Sequence, residues 1–360
     1  MENRIITLPI KSYSEQLIGT LIVPSIAEVM RHKLDTEATL SVNLLDSFQD
    51  RGKYYEGFYN LIKDNNIKLD NVWIDSKNKD ELKDCIYNLI NKGYIKEKEK
   101  EIKKCKCNKV EINSEILENK KQGKLYTKVG DNLVCNECQS VLETSRKKVL
   151  IFKVPEKIGE NIKIIPSRLK KSLINMNKYM ENKEIVISRN RNTGISVNYD
   201  NTKYNIDVDF FWANYLDLIK SKEKLVIGCE EVLYPIYLTS VLEKIRNPKS
   251  DTVYLAVPFV KGLEKDIMDY NSLENKEAKK LALIFSATKL KNSRSKWEDN
   301  IYKYFNRLNS SKMEEFKNVL YGKIDRRENE SFYDYVDRVV LQEMNYQKVL
   351  KKFNQREVVR

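Results

Sequence analysis

The chain has 360 residues, enough for two or three domains of about 100–200 residues each, and its 41 % hydrophobic and 32 % charged residues suit a globular protein with a buried core. Its formal net charge of +13 fits a polyanionic partner such as RNA, and fits equally a Lys-, Asn-, Ile- and Tyr-rich bias running through the whole sequence. The single histidine, His32, lies among charges in Arg31-His32-Lys33, which excludes a multi-histidine metal centre and leaves almost no room for a Ser/His/Asp or Cys/His nucleophile. The longest apolar runs, such as Leu21–Pro24 and Val149–Phe152, are far short of the ~20 residues of a membrane span. Met1–Pro9 lacks a signal-peptide pattern, so the expected location is the cytoplasm, away from membranes.

In chain order, residues 4–10 read as a short buried strand followed by a loop. Val23, Ile26, Val29 and Met30 then give helical spacing around Pro24, a residue favoured in a first turn. Thr39–Leu45 reads as a second strand, and Tyr55, Phe58, Tyr59 and Ile62 mark a helix. Leu82, Cys85, Ile86, Leu89 and Ile90 follow the i, i+3, i+4, i+7, i+8 pattern up to a stop at Gly93, which makes Cys85 a core residue. The pattern breaks at the alternating Lys and Glu of Lys96–Glu101, and a cysteine-bearing segment runs on to about Thr144. Val149–Val154, Ile185–Ser188, Leu225–Gly228 and Val253–Val260 read as strands, with a helix near Tyr237–Ile245. From Asn271 the pattern is helical, with Ala278, Leu281, Ala282 and Phe285 on one face and Phe332, Tyr335, Val336, Val339 and Val340 on another.

Alternating strands and helices imply an α/β fold with a parallel sheet that is split by an insertion and then resumed. The expected divisions are 1–95 and 149–270 for the two halves of the α/β domain, 96–148 for the insertion, and 271–360 for a basic α-helical domain. That last stretch carries 20 Lys plus Arg against 13 Asp plus Glu. Lys289, Lys291, Arg294 and Lys296, beside Trp297, could grip an RNA backbone or form a solvated helix face.

Of the six cysteines, Cys105 and Cys107 form a C-x-C pair, and Cys135 and Cys138 a C-x-x-C pair across a polar loop. Four thiolates brought together on turns fit a structural zinc, with free thiols as the other reading. Lys124–Lys128 and Val141–Lys147 are the expected framing strands. A closed four-thiolate site has no open coordination position, so no catalysis is assigned to it.

Several segments, in this order, resemble the class I aminoacyl-tRNA synthetases, nearest the methionyl type. They are Lys92–Cys105 entering the knuckle, Cys138–Val154 leaving it, Pro166–Asn175, Val186–Val197 with its Ile187-Ser188-Arg189, and Phe210–Leu216. Ile227–Glu231 resembles the adenosine-side segment of that family. The likeness covers about residues 3–265 and implies a Rossmann-type catalytic domain interrupted by a zinc-knuckle connective insertion. It also implies ATP with magnesium, and tRNA, a synthetase or a carrier protein as partner. By position it implies nucleotide contacts at Gly19, Thr20, Gly228, Glu230 and Lys265, and amino-acid contacts at Tyr13, Asp46 and Trp212. Asp46 could equally cap the helix that follows its strand.

The sequence departs from the family at the groups that face ATP. In the place of His-Ile-Gly-His stands Leu17-Ile18-Gly19-Thr20, which keeps the glycine and loses both imidazoles. In the place of the lysine-bearing Lys-Met-Ser-Lys-Ser loop stands Leu263-Glu264-Lys265-Asp266-Ile267, whose one lysine is flanked by carboxylates that would repel a triphosphate. One lost transition-state donor costs about 10²–10³ in rate. Two expectations follow: an ATP-dependent activity on an altered substrate, or a non-catalytic relative that binds tRNA, an amino acid or a synthetase.

Overall fold

The computed structural model describes residues 3–12, 18–45, 51–107, 110–112, 125–156, 158, 162–190, 193–219, 221–261, 273–288 and 294–358. The first half of the chain contains strands β1 (Arg4–Thr7), β2 (Ile10–Lys11), β3 (Glu37–Asn43) and β4 (Asn71–Ile74), with helices α1 (Ile22–Leu34), α2 (Tyr55–Asp64) and α3 (Lys79–Asn91). The insertion carries β5 (Ile95–Lys104), β6 (Glu111–Ile112), β7 (Tyr126–Val129), β8 (Asn132–Cys135) and β9 (Glu143–Lys153). The return passes through β10 (Lys163–Ile165), α4 (Lys170–Met180), β11 (Glu184–Val186), β12 (Ser188–Arg189), β13 (Ser196–Tyr199), β14 (Thr202–Ile206) and α5 (Val208–Trp212). Then come β15 (Glu223–Cys229), α6 (Leu233–Arg246), β16 (Asp251–Val257), β17 (Phe259–Lys261), α7 (Lys276–Ala287), β18 (Arg294–Lys296), α8 (Asp299–Asn306), α9 (Ser310–Leu320), α10 (Phe332–Arg338) and α11 (Tyr346–Val358).

The main sheet runs β10–β16–β15–β1–β3–β4, with every neighbouring pair parallel. Parallel strands with helices between them must be covered on both faces, and the side chains alternate accordingly. Along β16, Val253, Leu255 and Val257 enter one core, and Tyr254 and Ala256 the other. The first core is closed by α1, α2 and the C-terminal helices, so residues 276–353 complete one face of the same sheet. The second is closed by α3, α4, α5 and α6. The expected α/β architecture with a parallel sheet, an insertion and C-terminal helices is the one observed.

Local signals explain several helix boundaries. Asp35, left-handed at φ 49°, ends α1, and Gly93, at φ 76°, follows α3. Asn275, Asn309 and Ser331 each accept a backbone N–H from the first turn of α7, α9 and α10, which fixes where those helices start. Cys85 is half-buried, on the flank of the α3 face made by Leu82, Ile86 and Leu89.

Three expectations change. The Lys/Glu run 96–101 is not a break: it lies in β5, paired residue for residue with β9 from Ile95↔Phe152 to Lys104↔Glu143. Cross-strand charges match there, with Lys148 on Glu97 at 2.8 Å and Arg146 on Glu101 at 3.3 Å. The knuckle hairpin is β7 with β8, closed by a two-residue turn with Gly130 at φ 58°, while Val141–Lys147 feeds mainly into β9. The apolar run 253–260 splits at Pro258, where β17 leaves the main sheet to pair with β18, so the backbone at Arg294 and Lys296 is a strand, not a helix face.

Candidate functional site

In an open parallel sheet the crevice for ligands lies at the carboxyl ends of the strands, where the strand order reverses. Here that point falls between β1, the first strand, and β15. The backbone divides there: the Leu8 N–H donates to the Ile227 carbonyl at 2.8 Å, staying with β15, whereas Ile10 and Lys11 pair with Val42 and Asn43 of β3. The chain next reaches the 3₁₀ turn Ile18–Leu21, which holds Gly19 and Thr20 and runs into α1. Among the described residues no side chain caps that helix and no acid lies in its first turn, a setting that favours an anion. A Cβ added at Gly19 would meet nothing within 4 Å among the described residues, so close approach is open there. Gly228 differs: a Cβ there would lie 2.3 Å from Leu8 Cδ1 and 3.0 Å from its Cγ. Packing against Leu8 is a sufficient reason for that glycine.

Glu230 follows β15 and accepts two hydrogen bonds from the Arg168 guanidinium, the Nη1 contact being 2.6 Å. Arg168 belongs to the 3₁₀ turn after β10, so this fork ties together the ends of strands on either side of β16. The carboxylate expected at a nucleotide is engaged with an arginine from this chain.

Trp212, the last residue of α5, sits where β2, β3 and β4 end. Its indole N–H donates to Asp75 Oδ2 at 3.3 Å, its ring is 8 % exposed, and Lys11 Nζ stands 5.3 Å from the ring centroid. Asp75, just past β4, is fully buried and accepts four further contacts. These come from the Leu44 N–H at 2.8 Å, the Leu45 N–H at 3.1 and 3.2 Å to its two oxygens, and Asn43 Nδ2 at 2.7 Å. Burial raises its carboxyl above the usual range against the pull of those donors. Asp75 thereby fixes the backbone that leads from β3 toward position 46. Gly194, at φ 98°, closes this corner: an added Cβ would lie 3.5 Å from the Phe211 ring and 3.7 Å from the Leu45 carbonyl oxygen. Sequence reading singled out Trp212 and missed Asp75 and Lys11. The available signal was an acid directly after an apolar strand, Val72-Trp73-Ile74-Asp75.

Of the other expected site residues, Tyr13, Leu17, Asp46, Lys265, Lys289 and Lys291 lie outside the described residues, as do the side chains of Arg294 and Lys296.

The insertion brings Cys105, Cys107, Cys135 and Cys138 together, with all four sulfurs within 4.8 Å of one another. Tetrahedral zinc with bonds of about 2.3 Å needs sulfurs about 3.8 Å apart. The separation is 3.8 Å for Cys107–Cys135 and a shorter 3.2 Å for Cys105–Cys107. The Val110 N–H points at Cys105 Sγ at 3.2 Å, as expected of a thiolate ligand. Gln139 takes a left-handed φ of 54°, which lets its N–H reach the Cys135 carbonyl and close the turn. The Ser140 hydroxyl, with backbone N–H groups, holds the Cys138 thiol down to about 6, while burial raises that of Cys135. The four-thiol donor set can hold a metal ion and suits zinc, with Val110, Ile112, Tyr126 and Leu142 as a small core beneath it.

With the geometry established, comparison with known proteins separates fold from family. No protein-family model matches the chain, and no curated protein matches it in sequence. The fold is similar to solved structures of methionyl-tRNA synthetase from Mycobacterium tuberculosis. One complex with methionyl-adenylate has a TM-score of 0.65 at 10 % identity over 98 % of this chain and 81 % of that one. A second has a TM-score of 0.64 at 8 % identity over 89 % and 72 %. The apo form has a TM-score of 0.64 at 10 % identity over 98 % and 79 %. The chain therefore has a class I synthetase-like fold, specifically one like methionyl-tRNA synthetase. Among the described residues, no helix is long and apolar enough to cross a membrane.

Proposed function

We propose that this chain is a synthetase-like ligand-binding protein that uses the carboxyl edge of its parallel sheet to hold an amino acid, with adenylate formation lost or severely reduced. The carrying observation is the contrast at that edge. Trp212 is fixed by Asp75, and Gly194 packs against the neighbouring Phe211 ring and the Leu45 carbonyl. On the phosphate side, Leu17 and Thr20 stand in place of imidazoles, and Glu230 is occupied by Arg168. An amino acid bound there would meet a preformed wall, whereas a triphosphate would meet a helix N-terminus and a segment whose one lysine stands between two carboxylates in the sequence. A tRNA or synthetase partner belongs to the same reading and rests on charge alone, the 20 basic against 13 acidic residues of 271–360.

Calorimetric titration of the full chain with each standard amino acid tests the binding limb. At least one should bind saturably, and Trp212→Ala should weaken that amino acid about tenfold or more. Binding of every amino acid that is absent, or indifferent to Trp212→Ala, defeats the reading. A detectable exchange of pyrophosphate into ATP would instead favour an enzyme that activates a substrate with altered phosphate contacts.

A further inference from the structure

A run of buried polar contacts joins the cysteine knuckle to the sheet edge. The Cys105 N–H donates to the Val110 carbonyl at 3.1 Å, and the Val110 N–H points back at Cys105 Sγ at 3.2 Å, so the cysteine loop closes directly onto β6. β6 pairs with the end of β5 and carries Glu111, whose side chain is 4 % exposed. Glu111 Oε1 accepts from Lys147 Nζ of β9 at 2.8 Å, and Oε2 accepts the Asn190 N–H at 3.1 Å. The Glu111 carbonyl accepts from Arg189 Nη1 at 3.3 Å. Arg189, its side chain 1 % exposed, reaches the other way through Nε to Asp207 Oδ2 at 2.5 Å. Asp207 Oδ1 accepts the Asp209 N–H at 3.1 Å and so caps α5, the helix that ends at Trp212.

These links lie largely away from water, where polar contacts are stronger and an unmet partner is costly. Arg189 Nη2 has no hydrogen-bond partner among the described residues, so two acceptors, the Glu111 carbonyl and Asp207, set where the guanidinium lies. α5 has only 5 residues, so its placement comes from its packing and from its two tethered ends, Asp207 and, through Trp212, Asp75. We propose that Glu111 is a positioning residue that transmits the set of the four-cysteine loop, through Arg189 and Asp207, to Trp212. A knuckle closed on a metal fixes Cys105, and with it Val110 and β6. Without the metal the four thiols can move apart and carry Glu111 with them. The effect on ligand affinity rests on the sheet-edge reading: an amino acid held at Trp212 should bind the metal-loaded chain about tenfold more tightly than the metal-free chain, and should tighten the metal by the same factor. The response of Trp212 itself does not rest on that reading.

Trp212 is one of three tryptophans, so its indole N–H resonance is assigned by its loss in Trp212→Phe. Zinc titrated into the reduced, metal-free full chain should shift that resonance saturably, complete at about one zinc per chain. The Trp297 indole, which donates to Asp299, should stay in place. In Glu111→Ala, zinc should load with the same stoichiometry while the Trp212 shift falls about threefold or more. Glu111→Gln keeps an acceptor for the Asn190 N–H and should keep most of the shift. Asp207→Asn should lose it: asparagine still caps α5, but its amide nitrogen sets a donor against Arg189, which needs an acceptor. That variant carries the test if Glu111→Ala does not fold. Failure of zinc to load, a Trp212 resonance indifferent to zinc, an equal shift at Trp297, or a full response in Glu111→Ala or, should that variant not fold, in Asp207→Asn would overturn the proposal. These readings need no amino acid, so absent amino-acid binding would defeat the sheet-edge reading and leave this one standing.

Discussion

Asp75 shows how one side chain organises the corner at the sheet edge. Its two oxygens bind the exit of β3, an asparagine and the indole of Trp212, all without solvent. Truncating it strands several buried donors, each of which costs about 1–3 kcal/mol when left unmet. Asp75→Ala should therefore lower unfolding stability by at least about 2 kcal/mol in urea, and a change below about 0.5 kcal/mol would contradict the role given to it. Glu330 makes a second residue-level case. It accepts from Arg338 Nε at 2.7 Å and Nη2 at 2.8 Å, and from the Arg327 N–H at 3.0 Å. The Arg338 guanidinium, first among these, holds its carboxyl down to about 2 from an ordinary 4.5. A depressed carboxylate adds stability that is complete above the ordinary value and lost as pH falls toward the depressed one. Acid unfolding curves should thus show Glu330→Gln less stable than the parent near neutrality, with the gap closing between pH 4.5 and about 2. A gap that persists unchanged to pH 2 would contradict the pairing.

At the scale of elements, the knuckle and the ribbon that carries it were unequally legible. The spacing of Cys105, Cys107, Cys135 and Cys138 pointed to the cluster because cysteine spacing on turns is a local property. The β5–β9 ribbon was hidden because its Lys and Glu alternate in charge, not hydrophobicity, and the partners that make them a strand lie far along the chain in β9, from Lys96↔Ile151 to Glu101↔Arg146. Asp75 was hidden for the same reason, its donors coming from β3 and α5. The buried ion pair of Lys224 and Glu243 at 3.0 Å carries no periodic signal either, since each residue looks like a surface charge until β15 and α6 pack. By contrast, α3 and α7 were readable from their own apolar spacing, and the strands of the main sheet from short apolar runs. For the knuckle, metal analysis should find about one zinc per chain, and Cys135→Ser should release it and loosen β7 and β8 while the main sheet remains folded. Metal-free protein with four freely titrating thiols would remove zinc from the account.

At the scale of the whole molecule, one parallel sheet carries two cores, and the C-terminal helices belong to one of them. The fold is like methionyl-tRNA synthetase at 8–10 % identity, so the backbone scaffold is shared with little of the sequence. In the sequence, the segments that resemble the two ATP motifs of that family, Leu17–Thr20 and Leu263–Ile267, carry no histidine and a single lysine. On the proposed reading, losing several transition-state donors together would leave little adenylation, even though such losses do not simply add. The most direct test is amino-acid-dependent exchange of pyrophosphate into ATP, run with the zinc-loaded full chain across all the standard amino acids. The account predicts no exchange above background for any of them, including the amino acid that binds at Trp212. Saturable exchange with any one of them would contradict it and make the chain a working amino-acid-activating enzyme.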